Sequence, residues 1–545
     1  MKRFTGFFTA VLLFLAVNNF AQQEEFERTS MVDVPLSALG GFGNFVAGVD
    51  FDDDGKTEIY AVNNNLIDRD PELIPQIYKF EFNGETWDSV WGATLEVPLQ
   101  NTWPALEKAD LDNDGKMEIV WGPVNYLNAD DNPNPPRVVV FEEAGDGSDQ
   151  MGHEIFGASV PNSTFQITDQ DMLELRPIRF YIEDVDGDGT QEVIFADRRA
   201  SSGNFHYGVL SVDNIPDDAD GTEMWTIEAS GDTDPVLDGT GNKWDLAVLD
   251  NKIYLFDGDG TVYKVAYEGG TWQTADSLGG VAGNGASFKS SQVVDVNGDG
   301  TKEIVVGQWD GTGHVYLLQE DGDTLTSSAI ANLGALGIPR ILGGAHGDID
   351  SDGMMDFVFG SRNPSVPNNL VARVEYQGGD IADSNNYIAY GVDSLYLFDG
   401  DDLGVLAIEN VDGDPDGEIL YTSDYTRGES NDSTIAIVVL DYNFTPVSVE
   451  ENFDLVPSEF HVDQNYPNPF NPSTTVEFGL PAEMNVDIRI YDILGQEVAV
   501  LINNQLMEAG SYKLKFNAGN IASGTYIYQV KAGNLSVSKK MLLMK

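Results

Sequence analysis

Short apolar and β-branched runs recur along the whole chain, each bounded by Gly, Asn, Asp or Pro, and nothing reads as a long amphipathic helix. Runs punctuated in this way predict strands joined by tight turns. The 57 glycines and the 10% aromatic content agree, so the expected fold class is all-β.

One composite pattern stands out. VDVNGDGTKEIVVG, Val294 to Gly307, is a strand end, three polar residues at alternate positions, a glycine, a fourth acid and an apolar strand. It recurs as VDFDDDGKTEI, ADLDNDGKMEI, EDVDGDGTQEV, GDIDSDGMMDF and ENVDGDPDGEI, making six copies. The copies begin at Asp50, Asp110, Asp184, Asp295, Asp348 and Asn410, at intervals of 60, 74, 111, 53 and 62 residues. The interval of 111 holds a further unit without the acidic loop, with strand-like runs at Leu246 to Leu249, Lys252 to Phe256 and Thr261 to Tyr267 around an Asp250-Asn251 turn. Seven units result.

Each unit reads as about four strands. In the second these are Trp103 to Ala109, Glu118 to Trp121, Arg137 to Phe141 and His153 to Phe156. Four-stranded units of this length bury their faces only against neighbours, so a seven-bladed β-propeller is expected. The last unit has strands at Val405 to Ile408, Ile419 to Thr422 and Thr434 to Leu440 but no clear fourth. The segment around Thr29 to Val34 is expected to supply it and lock the ring.

Counted from its first residue, each loop offers side-chain oxygens at positions 1, 3 and 5, a carbonyl at 7 and a carboxylate at 9. The sets are Asp50, Asp52, Asp54, Lys56 and Glu58; Asp110, Asp112, Asp114, Lys116 and Glu118; and Asp184, Asp186, Asp188, Thr190 and Glu192. Further along the chain come Asp295, Asn297, Asp299, Thr301 and Glu303; Asp348, Asp350, Asp352, Met354 and Asp356; and Asn410, Asp412, Asp414, Asp416 and Glu418. Alternating oxygens around a sharp turn suit Ca²⁺, a hard cation taking about six to eight oxygens. These are not EF-hands, because position 12 is Ala61, Trp121, Phe195, Val306, Phe359 or Tyr421 rather than a bidentate Glu. Asp, Asn and Gly also make ordinary hairpin turns. An acid held at position 9 in every copy is what a turn alone does not require.

These loops, with their following strands, resemble the FG-GAP and VCBS repeats of integrin α-chain propellers and bacterial surface proteins, over roughly residues 22–445. The resemblance implies structural Ca²⁺ at up to six loops, holding the hairpin between the first two strands of each blade.

Charge narrows the partners. The formal net charge of −61 leaves little basic surface for phosphate, so nucleic acid is excluded as a partner. The start MKRFTGFFTAVLLFLAVNNFAQQ has a basic end, an apolar run too short for a membrane anchor, and a small residue at Ala21. It reads as a signal peptide over 1–21, and no later segment is apolar enough to span a membrane. No cysteine is present, so neither disulfides nor a lipid-bearing thiol is available.

A linker is expected over 446–459, and from Phe460 the composition changes. Strands at Thr475 to Leu480, Val486 to Tyr491, Tyr512 to Phe516 and Thr525 to Val530 suggest a small Ig-like sandwich. From Ala509 onward there are six lysines and no Asp or Glu. QNYPNPFNPST, YDILGQEV, AGSYKLKF, SGTYIYQV and the ending KKMLLMK resemble the type A C-terminal sorting domain of the type IX secretion system, over 460–545. That resemblance implies passage through the periplasm to an outer-membrane translocon, with the cargo then released or attached to the outer surface.

The five histidines are scattered, and no HExxH, GxSxG or Walker pattern organises a catalytic centre. No catalytic residue is assigned. The reading is a surface adhesion or glycan- or protein-binding module exported by type IX secretion. The enzymatic alternative is a propeller-type polysaccharide lyase, which needs a base and a cation gathered in one groove. Tyr60, Trp121, Trp309 and Arg340 are candidate ligand contacts, though strand packing is their commoner use.

Overall fold

The computed structural model describes residues 26–33, 41–63, 74–95 except 85, 103–124, 136–166, 176–198, 205–280, 287–362 except 323 and 351, 368–396, 404–411, 417–422, 435–442, 447–452 and most of 457–544. The expected signal peptide lies outside these residues. Among them there is no α-helix, only two 3₁₀ turns, Leu333–Leu336 and Ser384–Asn386.

Seven antiparallel sheets follow one another. Sheet I comprises Phe42–Val49, Glu58–Asn63, Gln76–Phe82 and Trp87–Thr94. Sheet II comprises Ala105–Ala109, Glu118–Gly122, Val138–Glu142 and Ser163–Phe165. Sheet III runs Pro177–Glu183, Glu192–Asp197, Tyr207–Val212 and Trp225–Ser230. Sheet IV, the unit without an acidic loop, has Lys243–Leu249, Lys252–Asp257, Val262–Glu268 and Asp276–Gly279, with Thr271–Trp272 added on the third strand. Sheet V has Gln292–Val294, Glu303–Gly307, His314–Asp321 and Thr324–Asn332. Sheet VI has Ile341–Gly347, Asp356–Ser361, Asn368–Tyr376 and Tyr387–Tyr396.

Sheet VII joins the two ends of this region. Leu406–Glu409, Glu418–Thr422 and Ile435–Tyr442 are completed by Phe26–Asp33, which pairs antiparallel with Ile435–Tyr442 in a register that sets Phe26 opposite Tyr442. The expected N-terminal clasp is therefore present. Arg28 reinforces it, its guanidinium donating to Asp393 of sheet VI at 2.9 and 2.8 Å. Arg28→Ala should lower stability by about 1 kcal/mol, a charged hydrogen-bonded pair discounted for partial exposure. Chemical denaturation checks this, and an unchanged midpoint would show that the clasp does not need the pair.

The first strand of each sheet touches the first strand of the next, from Phe42–Val49 around to Leu406–Glu409 and back to Phe42–Val49. The arrangement is propeller-like. Apolar clusters lie between sheets, as when Val46 and Tyr60 of sheet I pack with Ile119, Trp121 and Phe141 of sheet II. A four-stranded sheet has two apolar faces here, and each is buried only by a neighbour.

Two boundaries differ from expectation. His153–Ile155 is not the outer strand of sheet II but half of a small hairpin with Ala158–Val160, turned by the exposed Phe156 and Gly157, and Ser163–Phe165 takes the outer place. Val447–Asn452, within the stretch read as linker, pairs with Gly510–Asn517 in the C-terminal module.

That module stacks two four-stranded sheets over one core. The NPFNPST stretch closes its side: Phe470 is buried, and its N–H donates to the Leu542 carbonyl at 3.0 Å. Asn468 Oδ1 accepts from Leu542 N–H at 2.9 Å, so the motif grips the last strand.

Candidate metal centres and an aromatic face

Every acidic loop joins the first strand of a sheet to the second, so all of them sit at one end of the inner strands. The glycine at position 6 takes left-handed backbone, with φ of 84° at Gly55, 96° at Gly115, 98° at Gly189, 90° at Gly300 and 87° at Gly353. Only glycine adopts that conformation without strain, and it lets the chain turn back on the first acid. The N–H of that glycine donates to the position 1 carboxylate at 2.7–3.1 Å in each case. The N–H at position 7, of Lys56, Lys116, Thr190, Thr301 and Met354, donates to the position 5 carboxylate.

Position 9 differs from the rest. Its carboxylate opens the second strand and is buried in Glu58, Glu118, Glu192, Glu303, Asp356 and Glu418. One oxygen accepts the position 2 N–H, at 3.3 Å from Phe51, 2.7 Å from Leu111, 2.8 Å from Val185, 3.3 Å from Val296, 2.9 Å from Ile349 and 2.5 Å from Val411. In sheets II and III the other oxygen, Oε1 of Glu118 and of Glu192, is buried with no hydrogen-bond donor, as is Oδ1 of Asp110. Asp110, Asp112, Asp114 and Glu118 bring oxygens within 4.8 Å of one another, and Asp184, Asp186, Asp188 and Glu192 do the same.

Such orphaned oxygens call for a positive charge. Burial pushes the Glu118 carboxyl up to about 9 and Glu192 up to about 8, and burial also raises Glu303. A divalent ion among the four acids would hold them ionised. The residues of sheets II and III therefore fit a hard cation. Glu58 and Asp356 differ, each meeting a buried basic side chain from the third strand of its own sheet. Asn410 and Glu418 are described, while Asp412, Asp414 and Asp416 lie outside the described residues.

Of the candidate ligand contacts, Tyr60 and Trp121 are fully buried between sheets I and II, and packing is their role. Trp309 and Arg340 are brought together with residues that the sequence did not single out. Arg340 lies over the Trp309 ring at 5.7 Å, and Arg362 lies 5.8 Å from Trp309 and 5.9 Å from Trp103. Arg198 covers Trp103 at 4.8 Å. Phe288 packs against Trp103, Trp244 and Trp309 with centroids 5.3, 4.6 and 5.0 Å away. These residues open first strands or follow second strands, so they gather at the end opposite the acidic loops. The histidines do not converge: His206 is buried in sheet III, and His314 meets Asn332 at 3.3 Å.

Residues 50–121 and 295–359 match the model of an FG-GAP-like repeat, and residues 464–544 match that of a secretion system C-terminal sorting domain. No curated protein matches the chain. Solved structures that align with it include the N-terminal domain of Nup159 (7% identity, 77% of this chain and 96% of that one, TM-score 0.38) and the computationally designed Ika8 protein (12%, 77% and 100%, 0.39). U3-55K is a third (11%, 74% and 95%, 0.38). At these TM-scores the likeness carries no argument. No helix among the described residues is long and apolar enough to cross a membrane. The sorting tail implies recognition by the type IX secretion machinery and delivery outside the cell or to its surface. The chain is an all-β protein that carries FG-GAP-like repeats ahead of a type IX secretion sorting domain.

Proposed function

We propose that the chain is a calcium-stabilised, seven-bladed propeller that serves at the cell surface as an adhesion module and binds an acidic glycan on its tryptophan- and arginine-rich face. The observation that carries this is the gathering of Trp103, Trp244, Trp309, Arg198, Arg340 and Arg362 around Phe288. The whole chain has 29 basic side chains against 90 acidic ones, so three arginines gathered at one place stand out against its composition. Guanidinium forks match carboxylates bidentately, and indole faces offer flat apolar area for sugar rings.

Titration of the calcium-loaded chain with polygalacturonate oligomers should show binding that a neutral glucan of the same length lacks. Trp309→Ala and Arg340→Ala should each weaken it about tenfold, or about 1.4 kcal/mol. Equal affinity for the neutral glucan, or no effect of either substitution, would refute the assignment.

One observation favours the lyase reading as a second possibility. Lys289 and Arg179 line a cavity of about 180 Å³ among the inner strands, and Lys289 Nζ is buried without a hydrogen-bond partner. Burial, helped by Arg179, lowers the Lys289 ammonium to about 7, which suits a base. Incubation with the same oligomers should then yield unsaturated ends, lost in Lys289→Met. Binding without such products leaves the adhesion reading alone.

A further inference from the structure

The acidic loops are alike in sequence but not in what faces them from the third strand. In sheet I, Lys79 stands opposite Tyr60, two residues past Glu58. Its side chain is 1% exposed, and its ammonium lies 2.8 Å from Asp52, 2.6 Å from Glu58 and 3.0 Å from Asp149. In sheet VI, Arg373 stands at the same register, opposite Val358 and two residues past Asp356. It is fully buried; Nε donates to Asp356 Oδ1 at 2.6 Å and Nη2 to Asp350 Oδ2 at 2.9 Å.

Both basic groups therefore touch positions 3 and 9 of their own loop. The other acidic-loop sheets carry an aliphatic residue at this register: Val140 opposite Val120, Val209 opposite Ile194, Leu317 opposite Val305 and Val439 opposite Leu420. A buried ammonium or guanidinium is tolerable only with its carboxylates in place, and removing them is strongly destabilising. A divalent ion drawing on the same oxygens would sit within a few ångströms of that fixed positive charge. Asp50, Asp52 and Glu58 still bring oxygens within 4.8 Å of one another, so in that loop the ammonium and an ion would compete for the same carboxylates.

We infer that Lys79 and Arg373 are resident cations, so that loops 50–58 and 348–356 are closed by the protein's own side chains and take no calcium, whereas loops 110–118, 184–192 and 295–303 take it. This rests on the calcium reading proposed above for the second group. It departs from the sequence expectation for Asp50, Asp52, Asp54, Lys56 and Glu58 and for Asp348, Asp350, Asp352, Met354 and Asp356: Asp52 and Glu58 pair with Lys79 instead, and Asp350 and Asp356 with Arg373.

Crystals of the full chain equilibrated with calcium chloride, measured at long wavelength, test this without any substitution. Anomalous peaks are expected in loops 110–118, 184–192 and 295–303 and none in 50–58 or 348–356. A peak in either of the last two overturns the inference alone; no peak in any loop overturns it together with the calcium reading. In solution, equilibrium dialysis should find one calcium fewer per chain in Glu118→Gln and an unchanged number in Glu58→Gln, and a loss in Glu58→Gln overturns it. Lys79→Met should bind one calcium more than the natural chain, and a folded variant with an unchanged count would equally overturn it.

Discussion

Removing calcium with a chelator is expected to lower the melting temperature of the purified chain by about 5 °C. A site about 90% occupied in the folded state alone contributes about 1.4 kcal/mol by linkage. Three such sites, at Glu118, Glu192 and Glu303, sum to roughly 4 kcal/mol. Spread over an unfolding entropy of roughly 2.1 cal/mol/K per residue for about 400 residues, that is a shift of about 5 °C. The control is magnesium at matched ionic strength, because a chain of charge −61 gains from any screening cation. Magnesium demands a tighter octahedral cage and should not restore the melt. An identical melt in chelator and in calcium would remove the metal from the account of stability. The double substitution Glu118→Gln with Glu192→Gln should shrink the calcium effect by about two thirds.

Deleting Val447 to Lys545 is expected to stop export, leaving a folded propeller in the periplasm. Among the described side chains, the apolar clusters of the seven sheets contain no residue beyond Tyr442, and the core of the C-terminal module draws on residues from Phe460 onward. The deletion therefore removes a module without opening the other. Where it begins matters. Cutting at Phe460 instead would leave Val447–Asn452 without Gly510–Asn517, a bare strand edge that invites pairing between chains. Cell fractionation checks the prediction, and normal appearance of the shortened chain in the medium would show that another signal directs export. Circular dichroism of the recovered protein separates a sorting defect from a folding defect.

Much of the fold was legible because each unit needs the same local solution. Acids at alternate positions, a glycine in left-handed backbone and a β-branched strand are all encoded within about a dozen residues, and periodic patterns of that kind are what a single sequence reports best. The clasp of Phe26–Asp33 was inferred from a missing fourth strand, and the register of Val32 opposite Ile437 realises it. The outer strand of sheet II was misplaced because an apolar pattern at His153 to Phe156 gives no hint that Gly157 reverses the chain.

The site was legible only in part. Glu118 and Glu192 follow from the loop motif, but Lys79 and Arg373 approach from another strand, 21 residues beyond Glu58 and 17 beyond Asp356. A signal did exist: a lone base inside QIYKFEF and LVARVEY, at a position where the third strands of the other acidic-loop sheets carry Val or Leu. Of the aromatic face only Trp309 and Arg340 were candidates from the sequence. Trp103, Phe288 and Trp309 come from distant stretches, and only closure of the ring brings them together.

The clasp has a consequence for how the chain is made. Its two partners, Phe26 and Tyr442, stand more than four hundred positions apart, so the first strand made stays without its sheet until Ile435–Tyr442 has been synthesised. Contacts of such long range form late and slowly, although the entropy of closing a loop grows only logarithmically with its length. A product truncated anywhere before Ile435 would leave Phe26–Asp33 without its partner, an edge open to pairing with another chain. Ring closure therefore waits on Ile435–Tyr442, at the far end of the repeat region.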